Sequence, residues 1–400
     1  MTAVGKDVKI PVEARIIDAT GKVVMPGFVE AHSSSGMSQA NETNPIVPYV
    51  SVIDAIDPMN SYFLQARRNG VTSVAITPGN STLIGGQAAV IKTGGEFIDE
   101  MILKPDAGIK ISLRPVSGSR MSHMAKLRKA FDDAKAKLDA KNKQIEPKKA
   151  ADSKKNSGKK SDGKKSVKGD TETKDAAKKK PETKTAAAKP AVEKVDSALD
   201  KAMFSLLSGD IPAIIYCDKA MDVGQALRLI EEYGLQAKLV LGRDCYKAAE
   251  QIAESGLPVV LDPALVFWEE DPRTKEEKKI VLTKIFGDQK VKFVFQVSRA
   301  STPTLGDNYL WYQAATAVKY GMSKQDALEA LTILPAKFHG VDKFVGTIET
   351  GKDGDVVILS GDPLKVDSWV EKTIVNGEVV YDKKKDKQLR RLLTGENESE

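Results

Sequence analysis

Four hundred residues with 41% hydrophobic content are enough for a large core in roughly one to three domains, and no apolar run approaches the ~18 residues of a membrane span. The formal net charge of +6 is concentrated in one place: residues 137–194 hold nineteen lysines against nine acids, a net +10, which leaves −4 on the rest. Two cysteines, Cys217 and Cys245, give no disulfide framework, and no signal-peptide core is visible.

Taken in chain order, Val8–Val12 and Ala14–Asp18 carry short strand patterns, each followed by turn chemistry. The start looks abbreviated, so the default cytoplasmic location is bounded only if nothing precedes Met1. An apolar run, Val24 to Val29, then delivers a single histidine, His32, into the loop Ser33-Ser34-Ser35-Gly36. Two imidazoles at i and i+2 on a strand face the same side and can grip one metal ion, but the second position is Ser34. A helical stretch, Ile53 to Arg68, precedes the β-branched run Val71–Ile76.

Residues 135–194 are rich in Lys, Ala, Asp, Ser, Thr, Gly and Pro, and no aromatic residue occurs between Phe131 and Phe204. Such a segment cannot bury enough apolar surface to offset its chain entropy, so disorder is expected, as it is for 386–400. A loop of this length adds only about 0.6 kcal/mol per doubling, which a stable domain tolerates. The composition suits a solubilising spacer. The competing expectation is a polybasic arm that reaches nucleic acid or another acidic macromolecule in a salt-dependent way.

Beyond it, strand and helix signals alternate. Ile211–Tyr216, Lys238–Leu241, Pro258–Leu261 and Val291–Gln296 read as strands; Val223–Tyr233 (stopped by Gly234), Tyr246–Ser255 and Tyr309–Lys319 read as helices. That alternation implies βαβ units, and at this length a barrel with its chemistry at the carboxyl ends of the strands. The C-terminal stretches Phe344–Ile348, Gly354–Leu359 and Val370–Gly377 return to strand character, and Asn376-Gly377 before Glu378–Tyr381 signals a hairpin. The expected organisation is a barrel over 25–134 and 195–340, with 1–24 and 341–385 pairing into a small β-sandwich beside it.

Several stretches together carry a family pattern. They are Ile17-Asp18-Ala19-Thr20-Gly21-Lys22 running into Met25-Pro26-Gly27-Phe28-Val29, then Gly70-Val71-Thr72-Ser73-Val74 with Pro78-Gly79, and Gly85-Gly86-Gln87-Ala88. Ala327–Thr332 with Pro335-Ala336-Lys337, and Gly351-Lys352-Asp353-Gly354-Asp355-Val356-Val357, complete the set. In order and spacing the chain resembles the amidohydrolase superfamily, nearest to its imidazolonepropionase-like or dihydroorotase-like members. The resemblance implies a (β/α)8 barrel with a composite β-sandwich, homodimerisation, and a metal-bound hydroxide attacking an amide or ring carbon–nitrogen bond.

Family members draw metal ligands from His-x-His on the first strand, histidines on two middle strands and an aspartate on the last. Here the corresponding positions are His32 and Ser34; Tyr216, Cys217 and Asp218; Leu241, followed by Gly242-Arg243; and Gln296-Val297-Ser298-Arg299, with no aspartate until Asp307. The chain holds only two other histidines, His123 and His339, the latter at a predicted helix C-terminus where the helix dipole is the expected partner. The expectation is therefore a degenerate site with no resident metal; the alternative is a single zinc or other divalent ion held by a remnant of His32 and Asp218, with Tyr216 or Cys217. Lys92, Arg114, Arg120, Arg243 and Arg299 suit a small anionic ligand, set against plain surface charge. Cys217 lacks a neighbouring histidine to activate it as a nucleophile. Three functions compete: a barrel that has lost metal-dependent hydrolysis and acts by ligand binding or assembly, a surviving hydrolase of non-peptide carbon–nitrogen bonds, and an adaptor using the polybasic arm.

Overall fold

The computed structural model describes residues 1–116, 118–155, 197–297 and 309–395, with the backbone alone for 144–155. β1 (Val23–Pro26) passes through Gly27 into β2 (Phe28–Ser33), all six residues of which are buried. After α1 (Ser61–Arg68), whose first turn is capped by the Asn60 side chain, β3 (Val71–Ile76) pairs parallel to β2. β4 (Ile84–Lys92) turns back antiparallel to β3, and β5 (Ile102–Ser112) turns back again. The two links, one holding only the single-turn α2 (Ile98–Met101), are too short for the crossover of a dozen or so residues that a parallel pair requires.

α3 (Arg120–Lys155) and α4 (Ala198–Ser208) then lead to β6 (Ala213–Cys217), α5 (Ala220–Tyr233), β7 (Ala237–Leu241), α6 (Ala249–Ser255) and the two-residue β8 (Val259–Val260). An antiparallel pair, β9 (Val266–Glu270) with β10 (Glu277–Val281), interrupts the pattern before α7 (Leu282–Asp288) and β11 (Phe293–Val294). The result is an α/β fold built on one mixed eight-stranded sheet, ordered β2-β3-β4-β5-β6-β7-β8-β11, in which only β4 runs against its neighbours.

α8 (Leu310–Lys319), α9 (Lys324–Glu329) and α10 (Ile333–His339) follow. The edge strands β2 and β11 do not pair with each other among the described residues; α10 packs against both, and the Leu331 carbonyl accepts from the Val29 N–H at 2.8 Å. Val29, Ala75, Val90, Ala107, Ile214, Val240, Val260 and Val294, one residue from each of the eight strands, meet Ala336 and Phe338 of α10 in a single cluster. The opposite faces of the strands, with Ile215, Cys217, Leu239 and Leu241, pack under the helices in the larger core.

β12 (Val356–Leu359), β13 (Val370–Val375) and β14 (Glu378–Asp382) form a second sheet in the order β1-β12-β13-β14, antiparallel throughout, in which β1 is the one N-terminal strand. Its hairpin turns at Asn376 (φ 52°) and Gly377 (φ 85°), the positive dihedrals that the Asn-Gly pair supplies most readily. The strands expected at 8–12 and 14–18 do not form: strand propensity needs a partner edge, and these residues leave Ile10, Val12 and Ile16 exposed. Phe344–Ile348 is likewise turn rather than strand.

Two segments expected to be disordered are partly helical. α3 runs on to Lys155 because its first half is anchored: Leu127 and Phe131 are fully buried, Phe131 stacks on Tyr233 with centroids 4.8 Å apart, and Lys137 pairs with Asp200 at 2.6 Å. Lys- and Ala-rich sequence then continues the helix, past Pro147, to Lys155; residues 156–194 lie outside the described residues. In the C-terminal tail, Asp386 accepts from the Leu389 N–H at 3.0 Å and starts α11 (Lys387–Thr394). No helix among the described residues is long and apolar enough to cross a membrane.

Candidate active site

The carboxyl ends of β2, β5, β6, β8 and β11 bring one polar group together. His32 owes its inward direction to a register shift on β2: Glu30 pairs with Val74 and Ser33 with Ile76, so β2 carries an extra residue, as in a β-bulge. Its Nε2 lies 2.8 Å from the Nζ of Lys110 on β5. Lys110 is fully buried, and its Nζ sits 5.6 Å from the centroid of the Tyr216 ring on β6. The Tyr216 hydroxyl donates to Oδ1 of Asp218 at 3.2 Å, with Asp262 (just past β8) and Arg114 (just past β5) within electrostatic reach. Just past the last strand, Gln296 hydrogen-bonds His32 and donates its Nε2 to the Leu261 carbonyl at 2.8 Å; its own backbone carbonyl accepts from Gln313 at 2.6 Å.

Burial dominates the electrostatics. It pushes Lys110 down from 10.5 to about 7. It also pushes His32 well below its ordinary value, reinforced by the neighbouring Lys110 and opposed by the Gln296 hydrogen bond. The imidazole is thus neutral, and a Lys110 proton donated to Nε2 requires the ring proton on Nδ1. Tyr216 is pushed upward, first by burial and then by Asp218, so it stays a phenol.

Several sequence-expected site residues lie elsewhere. Strand parity decides two: Tyr216 and Val240 face the inner cluster side, so Cys217 and Leu241 face out into the helix-covered core. Burial drives the Cys217 thiol far up, and Cys245, pushed up to about 12, hydrogen-bonds the Cys217 carbonyl at 3.1 Å; both are inert fillers. Gly242, after β7, comes so close to the Asp218 carbonyl that a Cβ would sit 2.6 Å from its oxygen. Ser34 points its hydroxyl at the Pro78 carbonyl, 3.4 Å away. Ser298, Arg299 and Asp307 lie outside the described residues.

The basic candidates also separate. Lys92 is buried between Asp353 (2.8 Å) and Asp355 (2.7 Å) and fastens the small sheet to β4 instead of facing an open mouth. Arg120, at the start of α3, pairs with buried Asp222 and donates to the Leu113 carbonyl at 3.1 Å. Arg243 is exposed, with its guanidinium 5.1 Å from the Phe267 ring centroid. Among the described residues of this set, only Arg114 remains near the cluster. His123 meets the Ser112 carbonyl, and His339 meets the Ala31 carbonyl, each at 2.8 Å. Burial lowers His339 well below its ordinary value, so it is neutral and makes no charge–dipole contact. Lys110 and Asp262 emerge only from the structure, whereas Gln296 is placed by the sequence at the end of the last strand and gains its contact with His32 here.

The described donor set does not fit a zinc site, which needs about three protein ligands. No group of three or more His, Cys, Asp or Glu side chains comes together among the described residues, and Nε2 of His32 is directed at a lysine.

Residues 291–380 match the Amidohydrolase family. The chain is 22% identical to "Amidohydrolase tasK" of Hapsidospora irregularis over 417 residues, covering 94% of this chain but 38% of that protein. It therefore spans well under half the length of that curated relative. An amidohydrolase structure from Thermotoga maritima MSB8 is 28% identical, with a TM-score of 0.73, covering 95% of this chain and 92% of the other. The mixed sheet and these likenesses support membership of the amidohydrolase superfamily.

Proposed function

We propose that this chain is a hydrolase of carbon–nitrogen bonds other than peptide bonds, acting on a cyclic amide or similar ring. The sheet is taken as a TIM-like barrel with α10 across its seam, a reading supported by the inner cluster to which all eight strands contribute. The observation that carries the function is the pair formed by Lys110 and His32 at the strand ends. An amine titrating near 7 beside a neutral imidazole can take a proton from water and return one to the leaving nitrogen at neutral pH. Arg114 offers a cation for the carbonyl oxygen or an acidic ring substituent. No step is routed through a metal, because the described donors do not fit one.

Binding without turnover is the competing function, favoured by one observation: Nε2 of His32, the surviving member of the family's first metal clamp, is committed to Lys110. Residues 137–194 extend mostly beyond the described residues, so an adaptor role rests on composition alone.

Two measurements on the purified protein separate these. Ring opening of a panel of hydantoins, dihydropyrimidines and lactams is followed by absorbance, and metal content is measured after dialysis. Turnover that His32→Ala abolishes supports the hydrolase. Saturable binding of a panel member with no turnover, with or without added zinc, refutes it in favour of a binding protein. A stoichiometric metal that survives dialysis and disappears in His32→Ala would overturn the metal-free proton-transfer scheme.

A further inference from the structure

We propose that a cavity between the small sheet and α11 is a second binding site, for a neutral, planar aromatic compound. Its volume is about 420 Å³, within the roughly 300–1,000 Å³ of ligand pockets. Its wall includes Phe28, the first residue of β2, whereas His32 lies four residues further along the same strand, about 13 Å at strand spacing. The cavity and the candidate active site are therefore at opposite ends of that strand.

The lining specifies the ligand class. Tyr309 and Trp311, at the start of α8, form a tilted two-ring wall with centroids 6.0 Å apart and planes at 34°. Trp369 and Leu392 of α11 complete an apolar enclosure that remains partly open to solvent, with Leu392 80% exposed. Aromatic walls favour a ring that can stack offset or edge-on, and a bound ring would remove this apolar surface from water.

The charged groups present no net charge to a ligand. Arg68 grips Asp386 with two hydrogen bonds of 2.8 and 2.7 Å and donates to Gln388 at 2.8 Å; the Tyr381 hydroxyl donates to Asp386 at 3.1 Å. An ionic ligand would lose its hydration with no countercharge to receive it. The Gln65 amide and Ser368 hydroxyl in the lining can serve one or two heteroatoms.

The test uses the full chain and N-phenylnaphthylamine, a neutral ring compound that brightens in apolar surroundings. Trp311 and Trp369 line the cavity, while the third tryptophan, Trp268, lies on β9. The expected result is saturable binding of one probe per chain with quenching of tryptophan emission. Quenching should persist in Trp268→Phe and disappear in the Trp311→Phe/Trp369→Phe double variant. Leu392→Glu, at a solvent-exposed position, should weaken binding at least tenfold while the circular dichroism spectrum is unchanged. The proposal is overturned by non-saturable binding, by equal affinity in Leu392→Glu, or by tighter binding of anionic anilinonaphthalene sulfonate. It is equally overturned if the chain is a dimer that Leu392→Glu dissociates, because the cavity would then be an interface between two copies.

Discussion

At the scale of single residues, burial sets the charge state of Lys110. A lysine whose folded value is about 7 and whose unfolded value is 10.5 is neutral when folded and protonated when unfolded between those limits. The unfolded state then binds more protons, so stability rises with pH across this window and is lost as pH falls from 10.5 towards 7. The full contribution of one such group is about 1.4 kcal/mol per pH unit. Lys110→Met should flatten the slope of unfolding free energy between pH 7.5 and 9.5, measured by urea titration; an unchanged slope would contradict a buried neutral amine. His32 and His339, both held well below 6.5, add a separate loss of stability as pH drops below 6.5. The sequence pointed to His32 but not to Lys110. In Gly108-Ile109-Lys110-Ile111-Ser112 a lysine between two isoleucines looks like the solvent face of a half-buried strand; only an enclosed inner face makes that side the site. The same parity moves Cys217 and Leu241 out of it.

At the scale of elements, local signals were legible where the chain supplies its own stop or turn. Gly234 ends α5 with φ 66°, and Asn376-Gly377 makes the hairpin that its dihedrals favour. Strand direction was not legible, since β4 is antiparallel through short links that leave no mark on its own apolar pattern. Nor was the persistence of α3, which depends on tertiary anchors beyond its lysine-rich composition. Phe131→Ala removes a fully buried ring stacked on Tyr233 and should cost about 3–5 kcal/mol. Hydrogen exchange should show α3 losing protection first; uniform loss across the sheet would place the anchor elsewhere. In α11, Asp386→Ala deletes the cap and the partner of Arg68, and should cost at least the ~0.5–2 kcal/mol of a lost N-cap. Melting indistinguishable from wild type would contradict that role.

For the whole molecule, the buried Lys92–Asp355 pair joins the eight-stranded sheet to the sheet shared by both chain ends. Asp355 also accepts from the Asn376 N–H at 3.0 Å, so one carboxylate ties β4 to the hairpin between β13 and β14. Asp355→Ala leaves Lys92 buried with only the partly exposed Asp353, and should cost about 3–5 kcal/mol; denaturation of the variant checks this, and a loss under 1 kcal/mol would show that the sheets are held by apolar contact alone. The family pattern and the alternation of strands and helices were readable along the chain, whereas the inner cluster under α10 was not, because it joins residues more than 300 positions apart. The most direct test of the central claim is the pH profile of ring opening, on whichever cyclic amide the panel identifies, in wild type and Lys110→Met. The Lys110–His32 pair predicts activity that rises through a pKa near 7 and falls on the order of a hundredfold or more in the variant with the fold intact. A flat profile, or full activity without Lys110, would contradict it.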